Sequence, residues 1–239
     1  MNRLPLVLAL LLYAGSALSQ YPSKPIRFIV GFPPGGSADP TTRIIGAALA
    51  QQLGQPVVVE NRPGADSAIA AEMMTRQPPD GYTIMFASNS AMTAAVALRK
   101  APAYDPLTDF SPISMVGRAT IFFYTHPSVP AATLKEFIEH ARANPGKLVY
   151  GTGNPLSILY NVQLMNSTGI SMLHVPYKGE GPLMPDLIAG RLHSSFLSQG
   201  NAISLAKEGK LRALAVLLDK RSALLPEVPT IAEAGAPAV

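Results

Sequence analysis

The sequence predicts an α/β protein of two lobes, each a mostly parallel sheet flanked by helices, with a ligand cleft between the lobes. Three observations carry that expectation. Phe28, Ile29 and Val30 form a short β-branched and aromatic run that stops at a glycine loop and re-enters as a helix. The same strand–loop–helix unit recurs twice before residue 100. After a connection over 101–109, the alternation starts again at Ile121 and continues to Leu217. Repeated units of this kind make parallel sheets with helices on their faces, and right-handed crossovers bring every strand-to-helix loop to one sheet edge.

In chain order, residues 1–19 read as a signal peptide: Arg3 supplies the basic start, an apolar run covers 4–17, and Ala17-Leu18-Ser19 is a small-x-small cleavage site before Gln20. The run is too short to span a bilayer, so the reading is an exported, periplasmic chain. The first lobe is expected over 20–120. Its opening unit passes from Val30 through Gly31-Phe32-Pro33-Pro34-Gly35-Gly36-Ser37-Ala38 to Asp39-Pro40, where Asp suits an N-cap and Pro the first helical position. Ile45, Ala48, Leu49 and Leu53 mark the apolar face of the helix that follows. Val57, Val58 and Val59 form the second strand, Asn61-Arg62-Pro63-Gly64-Ala65-Asp66 the second loop, and 67–74 the second helix. The third strand covers 82–87, Ser88-Asn89-Ser90 forms its loop, and a helix starts near Ala91.

The second lobe is expected over 121–217. Strands are predicted at 121–125, 148–150, 172–175, 194–196 and 212–217. Thr133 and Glu136 make a capping box for one helix, and Asn144-Pro145-Gly146 stops it. Further helices are predicted from about Ser157, from Gly179 to Ala189, and over 201–208.

The opening loop ends at a helix N-terminus, where unpaired N–H groups and the dipole favour an anion. Three sharper readings fail on its letters. A nucleotide P-loop needs Lys-Ser/Thr after Gly36, where Ser37-Ala38 stands. A dinucleotide fingerprint, G-x-G-x-x-G, is absent. A nucleophile elbow would need glycine where Asp39 stands.

Composition narrows the classes further. The net charge is +4, and Lys and Arg are scattered without a basic run, so no nucleic acid partner is expected. No cysteine is present, which excludes disulfides and thiolate chemistry. The four histidines lack metal-ligand spacing, and neither a nucleophile–base pair nor a cofactor motif emerges. The expectation is therefore no catalytic residue, no metal and no cofactor.

Several segments together resemble the tripartite tricarboxylate transporter substrate-binding proteins, the Bug or TctC family. They include the opening loop from Ile29 to Asp39, Val59-Glu60-Asn61-Arg62-Pro63-Gly64-Ala65, Pro79-Asp80-Gly81-Tyr82-Thr83, His174-Val175-Pro176-Tyr177-Lys178-Gly179, and Pro226-Glu227-Val228-Pro229-Thr230 with Ile231-Ala232-Glu233-Ala234-Gly235. The resemblance implies a two-lobed type II periplasmic-binding-protein (Venus flytrap) fold. It also implies a monomer that binds a small organic acid and passes it to the large and small membrane permease subunits of a secondary transporter. In the first lobe it implies a carboxylate held by Phe32, Pro34, Gly35, Gly36, Ser37 and Asp39, with Gly64, Ala65 and Asp66 in the second loop and Ser88 and Asn89 in the third. In the second lobe it implies Thr152, Gly153, Asn154 and Ser157, with Tyr177 near the cleft and Ser198 at the distal end. Arg62 is read as structural, and Gly36→Val as a block to the ligand.

The sequence departs from the family pattern in three places. Ile158 stands where a His is common, and Leu197-Ser198 where an Asp is common. Relatives also continue well past the motif at 233–235, so 218–239 is expected to be a truncated return segment toward the first lobe, leaving apolar surface there uncovered. Two other functions fit such a cleft: a ligand sensor that feeds a signalling partner, and an enzyme on the same fold.

Overall fold

A computed structural model describes residues 21–236. The expected signal peptide, its cut before Gln20 and residues 237–239 lie outside the described residues. Two sheets form. The first is three-stranded, with β1 (Ile26–Val30) between β2 (Val57–Asn61) and β3 (Thr83–Phe86). Both neighbours pair parallel to β1, Phe28 standing beside Val59 and Ile84. All three strand-to-helix loops therefore leave from one edge, as the repeated units require.

Helix α1 (Ala38–Leu53) returns over β1 and β2, but not on its expected face. Its buried residues are Asp39, Thr42 and Gly46, whereas Ile45 and Leu49 are half-buried and Ala48 and Leu53 exposed. Gly46 explains the difference: a Cβ there would stand only 3.3 Å from Val59, so the missing side chain lets the helix close directly onto β2. Ile44 is left 71% exposed. The opposite face of the sheet carries α2 (Ala68–Thr75), a π-turn at Ser90–Ala94 and the short α3 (Ala95–Ala97). Ala68, Ala71, Ala91, Ala95 and Tyr104 form a small core there, and the Tyr104 hydroxyl donates to the Ala91 carbonyl at 2.5 Å.

The second sheet has the order β6-β5-β7-β4-β8. It comprises β4 (Ile121–Thr125), β5 (Val149–Thr152), β6 (Leu173–Pro176), β7 (Ser194–Ser198) and β8 (Arg212–Val216). Strand β4 runs antiparallel to β7 and β8, and the other pairings are parallel. The alternation of β4 side chains builds a core on each face. Phe123 meets Phe137 and Phe196 at ring distances of 4.9 and 4.8 Å. Phe122 and Tyr124 face the other way, toward Leu183, Leu187 and Leu192. The covering helices are α4 (Leu134–Ala143), α5 (Pro155–Thr168), α6 (Glu180–Ile188) and α7 (Gly200–Lys207).

The last described segment corrects an expectation. Residues 218–236 do not return to the first lobe. Leu225 and Val228 enter one core of the second lobe, Ile231 and Ala236 the other. Val216 accepts from the Ile231 amide and donates to Pro229, because β8 is an edge strand with backbone groups still to satisfy.

Candidate functional site

The opening loop is held from within. The helix begins at Ala38 with Ser37 in the cap position, so Asp39 lies in the first turn and is not the N-cap. Its buried carboxylate instead accepts from Asn61 Nδ2 at 2.9 Å and pairs with Arg43 at 2.9 Å. Burial pushes this carboxyl upward, but the bonds from Arg43 and Asn61, the Arg43 charge and the Gly35 amide together hold it below its usual range. Asn61 also donates to the Phe32 carbonyl, and Ser67 donates to the Gly31 carbonyl at 2.9 Å. These two side chains pin the first and second loops to each other. Asp39 thus uses the Gly35 amide that was expected to serve the ligand.

In the second loop the chain turns left-handed over Ala65, Asp66 and Ser67, with φ of 47°, 58° and 70° after Gly64 at 139°. Such residues cost about 1–3 kcal/mol each when they carry side chains. The expected helix therefore starts one residue late, at Ala68. In the third loop Asn89 is exposed, and Ser88 accepts from the Met92 amide through its carbonyl at 2.9 Å.

In the second lobe Asn154 and Ser157 form a reciprocal capping box at α5, with Pro155 as its first residue. Thr152 is buried, and its hydroxyl shares a 2.6 Å bond with His174. Tyr177 gives its hydroxyl to Asp186, well along α6; burial first, then that carboxylate, push it up to about 12. Thr152 and Tyr177 therefore bond their hydroxyls to His174 and Asp186 within the second lobe.

The two lobes meet along glycines. A Cβ on Gly181 would stand 2.4 Å from the Pro34 carbonyl, one on Gly179 2.9 Å from Pro33, and one on Gly200 2.9 Å from Ser37. Gly153 backs onto the same turn, its Cβ position 2.6 Å from the Glu180 amide nitrogen. The first-lobe loop is thus seated against the starts of α6 and α7. Gly36 has more room on the protein side: its Cβ position lies 3.7 Å from Gly181, an ordinary contact.

One side chain from each lobe meets at this seam. Ser37 Oγ lies 2.5 Å from Ser198 Oγ. Ser198 donates to Glu180 twice, from its amide at 3.0 Å and its hydroxyl at 2.6 Å. A cavity of about 10 Å³, room for about one water, is lined by Gly36, Ser37, Glu180 and Ser198 over Met184 and Leu197. Sequence reasoning missed Glu180. The signal was present: an acid flanked by Gly179 and Gly181 at a helix start.

Ser37, Ser198 and Glu180 form one hydrogen-bonded cluster across the seam. His174 is bonded to Thr152. Among the described residues no group of three acidic or histidine side chains could hold a metal ion, and no helix is long and apolar enough to cross a membrane. Arg62 is exposed and pairs with Glu60 at 2.9 Å.

Residues 41–239 match the model of the tripartite tricarboxylate transporter family receptor, TctC. Protein BugT of Bordetella pertussis is 37% identical over 222 residues, covering 91% of this chain and 68% of that protein. A solved structure described as a periplasmic transporter is 40% identical with a TM-score of 0.86, covering 91% of this chain and 73% of that one. A Rhodopseudomonas palustris protein solved with adipate is 33% identical with a TM-score of 0.87, at the same coverage.

Proposed function

The chain belongs to the tripartite tricarboxylate transporter receptor family, and from that membership we propose that it is a periplasmic receptor that closes on a small organic acid and delivers it to the membrane subunits of a transporter. The observation that carries this reading is the glycine seam. Glycines at the starts of α6 and α7 let backbone of the second lobe approach the first-lobe loop closely there. Such a surface offers amides and helix dipoles to an anion, each charge-assisted bond worth about 1.5–3 kcal/mol. A lone arginine clamp is not needed. In this account the first carboxylate sits on Gly36 and Ser37 and on Gly64 and Ala65, with Asn154 and Ser157 closing from the second lobe across a boundary near Thr120. The adipate held by the R. palustris relative supports a dicarboxylate-sized ligand.

The test is a thermal-shift screen of mono-, di- and tricarboxylates, acidic amino acids and aromatic acids, followed by calorimetry on each hit. A receptor gives saturable one-to-one binding and returns the acid unchanged. Turnover of any acid, or a melt unmoved by every acid, overturns the proposal.

A further inference from the structure

The geometry points to Glu180 as a specificity-determining residue that selects a ligand carrying an ammonium or other cationic N–H group beside its carboxylate. This rests on the receptor reading above. Of the side chains lining the seam cavity, Glu180 alone is charged; the rest of the lining is glycine, serine and apolar surface. An anion site built for dianions needs donors or cations around both ends of the ligand. Here a fixed carboxylate already stands at one end.

Glu180 is held in place by neutral partners. Its Oε1 accepts from the Ser198 amide, and its Oε2 from the Ser198 hydroxyl and, at 3.5 Å, from Ser37. It enters none of the ion pairs formed among the described residues. Lys178, two residues before it, is exposed and pairs with no acid there. As the first residue of α6 it gains from the helix dipole, which stabilises its negative charge where it stands. Its charge also reaches the core: burial first, and Glu180 second, push the Tyr124 hydroxyl above its ordinary range.

Two or three bonds leave a carboxylate with acceptor capacity to spare, since its two oxygens offer about four lone-pair sites. A second ligand carboxylate brought to this cavity meets like charge with no cation between. An ammonium at the same place completes the acceptors of Glu180 and neutralises it. Rejection of dianions and acceptance of zwitterions follow from one residue.

The experiment is calorimetry of the full chain with ligands matched in length: glutarate, glutamate and 5-aminopentanoate in one set, succinate and aspartate in another. In at least one set an ammonium-bearing member should bind about tenfold or more tightly than the plain dianion. Glu180→Gln keeps an oxygen for the Ser198 amide but removes the charge, and should bring the two within about threefold by weakening the ammonium-bearing member. Equal or tighter binding of the dianions in the unaltered protein overturns the inference and leaves the receptor reading standing. So does an ammonium preference that survives Glu180→Gln. If Glu180→Gln fails to fold, the ratio in the unaltered protein still decides. Failure of every carboxylate to bind sinks both.

Discussion

The two lobes repeat one pattern of strand, loop and helix yet differ in how far they bury it. The second lobe encloses its five-stranded sheet between two cores, with Phe122, Phe123 and Tyr124 of β4 fully buried. The first lobe covers three strands with α1 on one side and an alanine core on the other. Ile44, Leu98, Leu107, Ile113 and Met115, all at least 71% exposed, belong to the stretch before residue 121, whereas among the described residues after it the most exposed large apolar side chain is Leu173 at 56%. Stability should therefore reside in the second lobe and adaptability in the first. The site is asymmetric in consequence: the stable lobe supplies Glu180 and Ser198, and the less covered lobe supplies the loop that closes on them.

The comparison breaks most readily in the cores. Phe123→Ala should cost about 3–5 kcal/mol by cavity formation, while Leu98→Ala, already in solvent, should stay within about 0.5 kcal/mol. Denaturant unfolding measures both. Hydrogen exchange sharpens the same point, since amides of Phe28 and Ile29 should exchange faster than those of Phe122 and Phe123. Equal protection would mean that the lobes are equally stable.

At the seam, Gly181→Ala places a Cβ 2.4 Å from the Pro34 carbonyl, so the lobes must part. Small-angle scattering should report a larger radius of gyration, and ligand affinity should fall about tenfold or more. Gly36→Ala, with 3.7 Å of room to Gly181, should leave the radius of gyration unchanged while lowering affinity for the ligand that sits on Gly36.

A smaller effect is expected of Glu60, which couples the first lobe's central strand to β2. The hydrogen bond from Arg27, with help from Arg62 and against burial, lowers its carboxyl to about 2. A depressed carboxylate stabilises the fold above its unfolded value, near 4.5, and that contribution is lost as pH falls toward 2. Because Arg27 is partly solvated, about 1 kcal/mol is expected. The stability gap between the unaltered protein and Glu60→Gln should be full at pH 6 and shrink below about pH 4. A gap constant down to pH 3 would remove the ion pair from the account. Smallest of all, Ser37→Ala should weaken ligand binding by about 1 kcal/mol or less, as one neutral hydroxyl among several amides.

Much was determined by the sequence alone. The β-branched runs, the glycine loops and the capping letters placed nearly every strand and helix, because these are local preferences of a few consecutive residues. The order of the loops along one edge followed from parallel crossovers. The resemblance of whole segments then identified the family. Tertiary structure decided the rest. Asp39 has the letters of a cap, but Asn61 and Arg43 arrive from β2 and from one turn along α1 to engage its carboxylate. The buried face of α1 was set by Gly46 against Val59, a close approach that no periodicity registers. Residues 218–236 went to the second lobe because the edge of β8 was open to them. Ser37, Glu180 and Ser198 lie up to 161 positions apart, and no local rule joins them. They meet because glycines on both lobes leave the backbone bare where the lobes close, and that coincidence of two surfaces exists only in three dimensions.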